Sequence, residues 1–555
     1  GTTLLLPADS GSPLLVAVGG GAADGLDAAR LRNAVAVLMR ATARHARIGF
    51  DLPSAAGIDA GTLGQVLAEG ALLGRYRFDV LKGKTRDVPL GLLQLRAPGI
   101  DVEAATAGLA TGRVTARAVN IARDLCNAPP SHLTAAGLGG IAKDLGARFG
   151  FAVEEFGKQQ LIDLGCGGLL GVNAGSAQEP RMLKLTFTPD GDPAGHLGMV
   201  GKGIMYDSGG VSLKPSDPMH LLMKMDMGGA ASVLSCFTAL RELRATAKVT
   251  GFLMCTDNMP AGSAYKLGDV LTARNGTTIE VKNTDAEGRL VMCDALTLAV
   301  EEGADAVVDI ATLTGASLMA LGQLTAALFG NNQPLVDRVR AAAAHTDEQV
   351  WQLPLEPQYR KQLDSDIADI SNLGGKYAGA TTAALFLSDF VGDTPWAHLD
   401  IAGTMQSDTD DVWRSKGATG FGTRILIVLA RHGKPKGDRT VKIDWRAYQD
   451  WWAEYDRSGL IDGQAPPERL LEMGGLAEDR VRLAMRALVG RETALVDDVI
   501  AGDAAINTLH IEIDDRCFKL LALHQPVDAA RAEPLAAVVH EERMRLALPA
   551  PGSRI

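Results

Sequence analysis

The run Asn283-Thr284-Asp285-Ala286-Glu287-Gly288-Arg289 places two carboxylates and a guanidinium almost side by side, with a glycine between the last two. No other feature constrains the chain as tightly. Read as an extended segment, Asp285, Glu287 and Arg289 alternate by two and project to one side. That side carries two hard oxygen ligands and a fixed cation, the set a metal hydrolase uses to polarise a carbonyl and hold the charge that develops on its oxygen. A solvated acidic turn is the plain alternative for any such pattern, and the upstream sequence weighs against it.

Between Gly201 and Ala231 the chain reads GKGIMYDSGGVSLKPSDPMHLLMKMDMGGAA. Lys202, Asp207, Lys214 and Asp226 stand there among glycines and apolar residues that belong in a core. Buried charges must be paired or bound to metal, because an isolated one costs several kcal/mol. A lysine ligates a metal only as the neutral amine, and desolvation beside divalent cations depresses its pKa in that direction.

With these residues in place the chain resembles the leucyl aminopeptidases, also called cytosol aminopeptidases. NTDAEGRL stands at Asn283 to Leu290, and GKG-x-x-x-DSGG-x-S-x-K at Gly201 to Lys214. NIARDLCNAPPSHLT at Asn120, GGLLGVNAGS at Gly167 and DIATLTGA at Asp309 fall in family order. So do SDIADISNLGG at Ser365, HLDIAGT at His398 and KGATGFGTRIL at Lys416. The resemblance is clear from about Gly112 to Gly433, and residues 1–116 resemble the family's smaller N-terminal α/β domain.

The resemblance implies two divalent metal ions, Mn2+ or Zn2+, held by Lys202, Asp207, Asp226, Asp285 and Glu287, with Asp207 and Glu287 bridging. Lys214 and Arg289 match the two catalytic cations, Lys214 on the scissile carbonyl and Arg289 anchoring a bicarbonate that acts as general base. Met223, Asn283, Thr312 and Gly315 match the side-chain pocket, and a polarizable, unbranched methionine suits leucine or methionine. The substrate class implied is peptides with a free amino terminus, and the assembly a homohexamer. His220 in the Gly201–Ala231 stretch matches no catalytic position.

Two departures stand out. One residue more than usual separates Lys214 from Asp226, expected in the loop near Pro218, where length is tolerated; placed in a helix it would rotate Asp226 by roughly 100° out of the site. Met205-Tyr206 stands where the family usually has threonine and phenylalanine.

A chain of 555 residues exceeds one core, so three or four domains are expected. Apolar runs at Leu197 to Val200, Val249 to Met254 and Ala306 to Ile310, separated by helical segments, predict an α/β fold with a central mixed sheet covered on both faces. The metal residues are expected just after the strand ending at Val200, at strand carboxyl ends. In the smaller domain Leu14 to Val18 and Leu92 to Leu95 read as strands and Ala28 to Ala43 as a helix. Gly19 to Gly21 reads as a turn.

The formal net charge of -11 argues against non-specific binding to nucleic acid or anionic membranes. Cysteines 126, 166, 236, 255, 293 and 517 show no metal spacing and read as reduced thiols of a cytoplasmic protein. No apolar run is long enough to cross a membrane, and the first residues lack the pattern of a secretory signal.

Residues 434–466 read as a linker with one aromatic helix face, Trp445, Tyr448, Trp452 and Tyr455. From Pro467 to Val527 the chain resembles the first two helices of PhoU, the phosphate-transport regulator, and the likeness fades at Asp528. Its apolar stripe, including Leu476, Leu483, Ile506 and Leu520, gives an α-helical appendage over 467–555 a surface for an unknown partner. Two functions follow: a two-metal aminopeptidase with an accessory tail, or a phosphate-responsive regulatory protein using the peptidase part as scaffold. The unbroken set of buried charges favours the first, since a scaffold has no reason to keep them.

Overall fold

Two short strands, β1 (Thr3–Leu6) and β2 (Leu15–Val18), pair antiparallel ahead of α1 (Ala28–Ala41). Asp27 starts that helix by accepting from the Arg30 amide, satisfying one of the amides the first turn leaves free. A parallel pair follows, β3 (Arg47–Asp51) with β4 (Leu92–Arg96), and α2 (Ala60–Gly74) lies between them in sequence. The strands and helix expected here are present, each within two residues of its expected ends. The computed structural model describes residues 3–432, apart from 7–14, 22–25, 53–56, 85–87 and 98. These belong to one unit, Gly1–Asp438. The aromatic face at Trp445–Tyr455 and the PhoU-like stripe lie outside the described residues.

Helix α3 (Val102–Asn127) runs straight through residue 116, where the smaller domain was expected to end. It locks the two parts together by backbone contact with α2. A Cβ on Gly108 would lie 1.9 Å from the Gly61 carbonyl oxygen, and one on Gly64 2.0 Å from that of Ala105. Only glycine permits so close a crossing.

Beyond α3 come α4 (Ala135–Phe149), β5 (Ala152–Phe156), α5 (Lys158–Asp163), α6 (Gly167–Asn173), β6 (Arg181–Phe187) and β7 (His196–Asp207). Then follow α7 (Pro218–Leu222), α8 (Gly228–Leu240), β8 (Lys248–Asn258), β9 (Val270–Thr272), β10 (Thr278–Glu280) and α9 (Glu287–Glu301). The rest is β11 (Ala306–Ala311), α10 (Gly315–Leu321), β12 (Ala326–Gly330), α11 (Gln333–Thr346), β13 (Val350–Gln352), β14 (Ile370–Ser371), α12 (Gly379–Ser388), β15 (Trp396–Asp400), β16 (Gln406–Ser407), β17 (Gly417–Ala418) and α13 (Thr423–His432).

Eight of these strands form one mixed sheet in the order β13-β12-β15-β11-β7-β8-β6-β5. The central four, β15, β11, β7 and β8, are parallel, and antiparallel pairs flank them on both sides. Helices cover both faces, so the central strands read as apolar runs rather than alternations. On one face Leu197 and Met199 pack among residues of α3, α8 and α13; on the other Val200 and Ile204 pack against α9. Each fully buried Leu, Val or Phe contributes roughly 1.5–3 kcal/mol relative to exposure. Strand β7 runs to Asp207, so Lys202 lies inside it rather than after it, and Asp207 is its last residue. Among the described residues no helix is long and apolar enough to cross a membrane. Cys126, Cys166, Cys236, Cys255 and Cys293 are free and buried; Cys517 lies outside the described residues.

Candidate active site

The parallel strands end at a common edge, and β7 delivers two charged side chains there. Lys202 and Asp207 are each only 2% exposed. After Asp207 the chain turns through Gly209 and Gly210, both at positive φ, where glycine avoids the Cβ penalty. The Gly209 amide returns 2.9 Å to Asp207 Oδ1, and the turn brings Lys214 back so that its Nζ lies 2.7 Å from Asp207 Oδ2.

Asp226 stands between a single 3-10 turn, Met223–Met225, and the start of α8. The extra residue upstream is absorbed without loss of the site: Asp226 Oδ2 lies 2.8 Å from Lys202 Nζ, and the Thr312 hydroxyl donates to Asp226 Oδ1 at 2.7 Å. That segment is not all loop, since Pro218 opens helix α7 behind the cap Asp217.

The Asn283–Arg289 run is not extended. The Asn283 side chain accepts from the Asp285 amide at 2.7 Å, an Asx turn, and α9 begins at Glu287. An acidic residue in a helix's first turn meets the positive end of its dipole, which favours that start. Arg289, two residues into the helix, is buried and is not among the residues lining the cavity, and Glu287 and Asp400 are the carboxylates that act on its charge. Its Nε and Nη1 have no protein hydrogen-bond partner, and burial lowers its pKa to about 10.

Lys202 Nζ lies 2.8 Å from Glu287 Oε1, and Lys214 Nζ 2.5 Å from Asp285 Oδ1. Four carboxylates thus face two ammonium groups. Burial and the neighbouring Asp207 raise the pKa of Glu287; burial, opposed by Lys202, raises that of Asp226. For the lysines, burial works downward, but the surrounding carboxylates outweigh it and raise both pKa values.

Oxygens of Asp207, Asp285 and Glu287 all lie within 4.8 Å of one another, and Glu287 Oε2 is buried without a hydrogen-bond donor. A hard oxygen set with surplus negative charge fits a divalent cation. The cavity above it, about 230 Å³, is lined by Met223, Thr312 and Gly315 together with Met219, Leu222 and Met405. Asn283 is not among its lining residues and shapes the turn instead.

Sequence reasoning passed over four supporting residues. Asn258 donates to Asp207 and to the Thr284 carbonyl. Asp400 accepts from the Thr314 hydroxyl at 2.6 Å and from the Leu313 and Ala402 amides, holding the loop that carries Thr312. Asp309 receives the Trp396 indole at 2.6 Å and meets His398 Nδ1 at 2.5 Å. The signal was present, since Asp309, His398 and Asp400 are charged or titratable residues inside apolar strands, the criterion that singled out Lys202.

Lysines and carboxylates gathered at the carboxyl edge of a parallel sheet, over an apolar cavity, define a metal-dependent hydrolase. Residues 120–427 match the catalytic-domain model of the cytosol aminopeptidase family and residues 1–85 its N-terminal domain model. The chain belongs to that family and is a leucyl aminopeptidase-type hydrolase. A probable cytosol aminopeptidase of Alkaliphilus metalliredigens (strain QYMF) is 41% identical over 425 residues, 75% of this chain and 84% of the relative. One of Chlorobium limicola is 45% identical over 376 residues, 65% of this chain and 74% of the relative. The solved bottromycin maturation enzyme BotP in complex with Mn superposes with a TM-score of 0.72 at 38% identity, covering 78% of this chain and 93% of that one. Residues 470–542 match the PhoU domain model, so the likeness continues past Asp528, where the sequence reading had it fade.

Proposed function

We propose that this protein removes leucine and similar apolar residues from the free amino termini of peptides, with two divalent ions held by Lys202, Asp207, Asp226, Asp285 and Glu287. The observation that carries the reading is the convergence of four carboxylates on two lysines, one buried and one partly exposed, beside a methionine-lined cavity. Divalent ions in such a set supply an acidified water and a polarised carbonyl. Manganese or zinc suits the donors, and the Mn of the BotP complex supports the former.

Lys214, held as an ammonium by Asp207 and Asp285, stands on the cavity wall, where it stabilises negative charge growing on the scissile carbonyl oxygen. Arg289 holds a bicarbonate that serves as general base; its two unpartnered nitrogens support that role. Met223, Thr312 and Gly315 receive the first side chain, and Asn283 supports them through the turn it builds. The substrate's α-amine is read within the carboxylate cluster, which restricts cleavage to the first residue. The assembly is a homohexamer and the compartment the cytoplasm; buried free thiols and relatives named cytosol aminopeptidases support the latter.

Hydrolysis of leucine p-nitroanilide with and without added manganese or zinc tests the reading. Chelation and Glu287→Ala should each abolish turnover, by about 10³-fold or more, while the variant stays folded. Full turnover by Glu287→Ala at normal metal concentration would sink the assignment.

A further inference from the structure

Two cavities meet at one thin wall. The site cavity of about 230 Å³ and a second of about 1010 Å³ share Leu222, Met225 and Gln406 among their lining residues. The wall is the stretch from Pro218 to Met225, helix α7 and the 3-10 turn behind it. Met219 and Met223 line the site cavity; Leu221 lines only the larger one, together with Tyr76, Phe78 and Tyr206.

Little holds the helical part of this wall, while Met225 at its far end is buried in the core. None of the five residues of α7 is buried, and Leu221 is 76% exposed. Asp217 caps the helix, Lys224 Nζ donates to the Asn127 carbonyl at 2.8 Å, and the His220 ring stacks on Tyr206 with centroids 5.8 Å apart. A helix so short has no independent stability, and segments with few buried contacts open at low free-energy cost. The stack joins the two places where the sequence departs from the family pattern: Tyr206, and the segment with the extra residue.

Pockets that enclose an organic ligand usually measure about 300–1,000 Å³, so the site cavity alone is small for a peptide end with a large side chain. The adjoining cavity supplies the missing space. Its aromatic and proline lining suits a ring, and three of its charged residues are engaged elsewhere: Asp410 and Arg77 with each other, Asp410 also with Arg40, and Lys224 with the Asn127 carbonyl.

We propose that the wall from Pro218 to Met225 is the specificity-determining element of the site, stopping a leucine side chain but yielding to pass a bulky aromatic one into the larger cavity. This rests on the aminopeptidase reading above and extends it to peptides beginning with large aromatic residues.

The test compares kcat/KM of the full chain for leucyl and tryptophanyl p-nitroanilides. The wild type should turn over both. His220→Ala, which frees the wall by removing the stack on Tyr206 and itself lines neither cavity, should raise the tryptophan-to-leucine ratio by about 5-fold or more, mainly through KM, with the leucyl value within about 3-fold. Leu221→Trp, at an exposed position and filling the larger cavity, should cut the tryptophanyl value by about 10-fold with the leucyl value held. It decides the matter alone if His220→Ala does not fold. An unmoved ratio, or a wild type active on leucine and inert on tryptophan, overturns the proposal. A wild type inert on leucine instead overturns the aminopeptidase reading, and the wall's role with it.

Discussion

Asn258 and Asp207 end two neighbouring parallel strands in matched register, and the Asn258 amide donates to Asp207 Oδ1 at 2.8 Å. The same amide donates to the Thr284 carbonyl at 2.9 Å, tying the turn that carries Asp285 to the sheet edge. A buried side chain that orients a carboxylate in this way has a measurable effect on the metal it serves. Asn258→Ala should cost about 10–100-fold in metal affinity and in kcat/KM, because Asp207 Oδ1 keeps only the Gly209 amide of its two donors. Metal titration followed by kinetics on the loaded variant checks this; wild-type values for both would show that Asp207 needs no such support.

On the proposed aminopeptidase reading, the substrate's free amine is an obligatory group. An N-acetylated leucyl substrate should be inert, with kcat/KM at least about 10³-fold below the free-amine compound, since the amide neither carries charge nor donates as an amine does. Comparable rates for the two would indicate an endopeptidase or amidase site.

Glu69 is the electrostatic hinge pin between the smaller domain and the rest. Its Oε2 accepts from Arg32 Nε at 2.7 Å and lies 3.4 Å from Arg424 Nη1, while Oε1 accepts from Gln65 and the Thr115 hydroxyl. Burial pushes its pKa up, but Arg32 and Arg424 outweigh burial and hold it at about 2, from an ordinary 4.5. A depressed carboxylate contributes stability above its unfolded pKa and loses it as pH falls through the folded one. The contribution, about 3 kcal/mol, is complete above pH ~4.5 and gone near pH ~2. Glu69→Gln leaves Arg32 and Arg424 buried against a neutral partner and should cost about 3–5 kcal/mol at neutral pH. Denaturation midpoints measured from pH 7 downward should show the gap between variant and wild type closing across that window; a constant gap would contradict the assignment.

Much of the site was legible in the sequence because charge inside an apolar run is so costly that it signals purpose. Lys202, Asp207, Lys214, Asp226, Asp285 and Glu287 all meet in space, and the runs around Val200, Phe252 and Val308 are central strands. What failed was local geometry. Periodicity alone cannot tell an extended run from the first turn of a helix, and the Asn283 turn, fixed partly by Asn372 from far along the chain, decided it. That turn and the helix start behind it also leave Arg289 off the cavity lining. The wall at Pro218 to Met225 was equally hidden, because its role depends on a cavity formed with Tyr76 and Phe78, residues more than a hundred positions upstream.

The catalytic family match ends at residue 427, the compact unit at Asp438, and the PhoU match begins only at residue 470. Every residue of the proposed site lies between Lys202 and Gln406. Helix α13, the last described element, spans Thr423–His432 and packs through Ile425, Leu426 and Leu429 into the same core as α8. A chain ending at Asp438 keeps all of these residues. It should therefore retain peptidase activity within about 2-fold and the proposed hexameric state, since closed symmetric assembly is the rule for soluble oligomers and no site residue is lost. Light scattering and leucine p-nitroanilide kinetics on the truncated chain measure both. If the full chain associates further than the truncated one, the additional contact maps to the stripe containing Leu476, Leu483, Ile506 and Leu520. A truncated chain that is monomeric or inactive would instead place residues beyond 438 in the enzyme's own architecture, and the division into catalytic unit and appendage would fall.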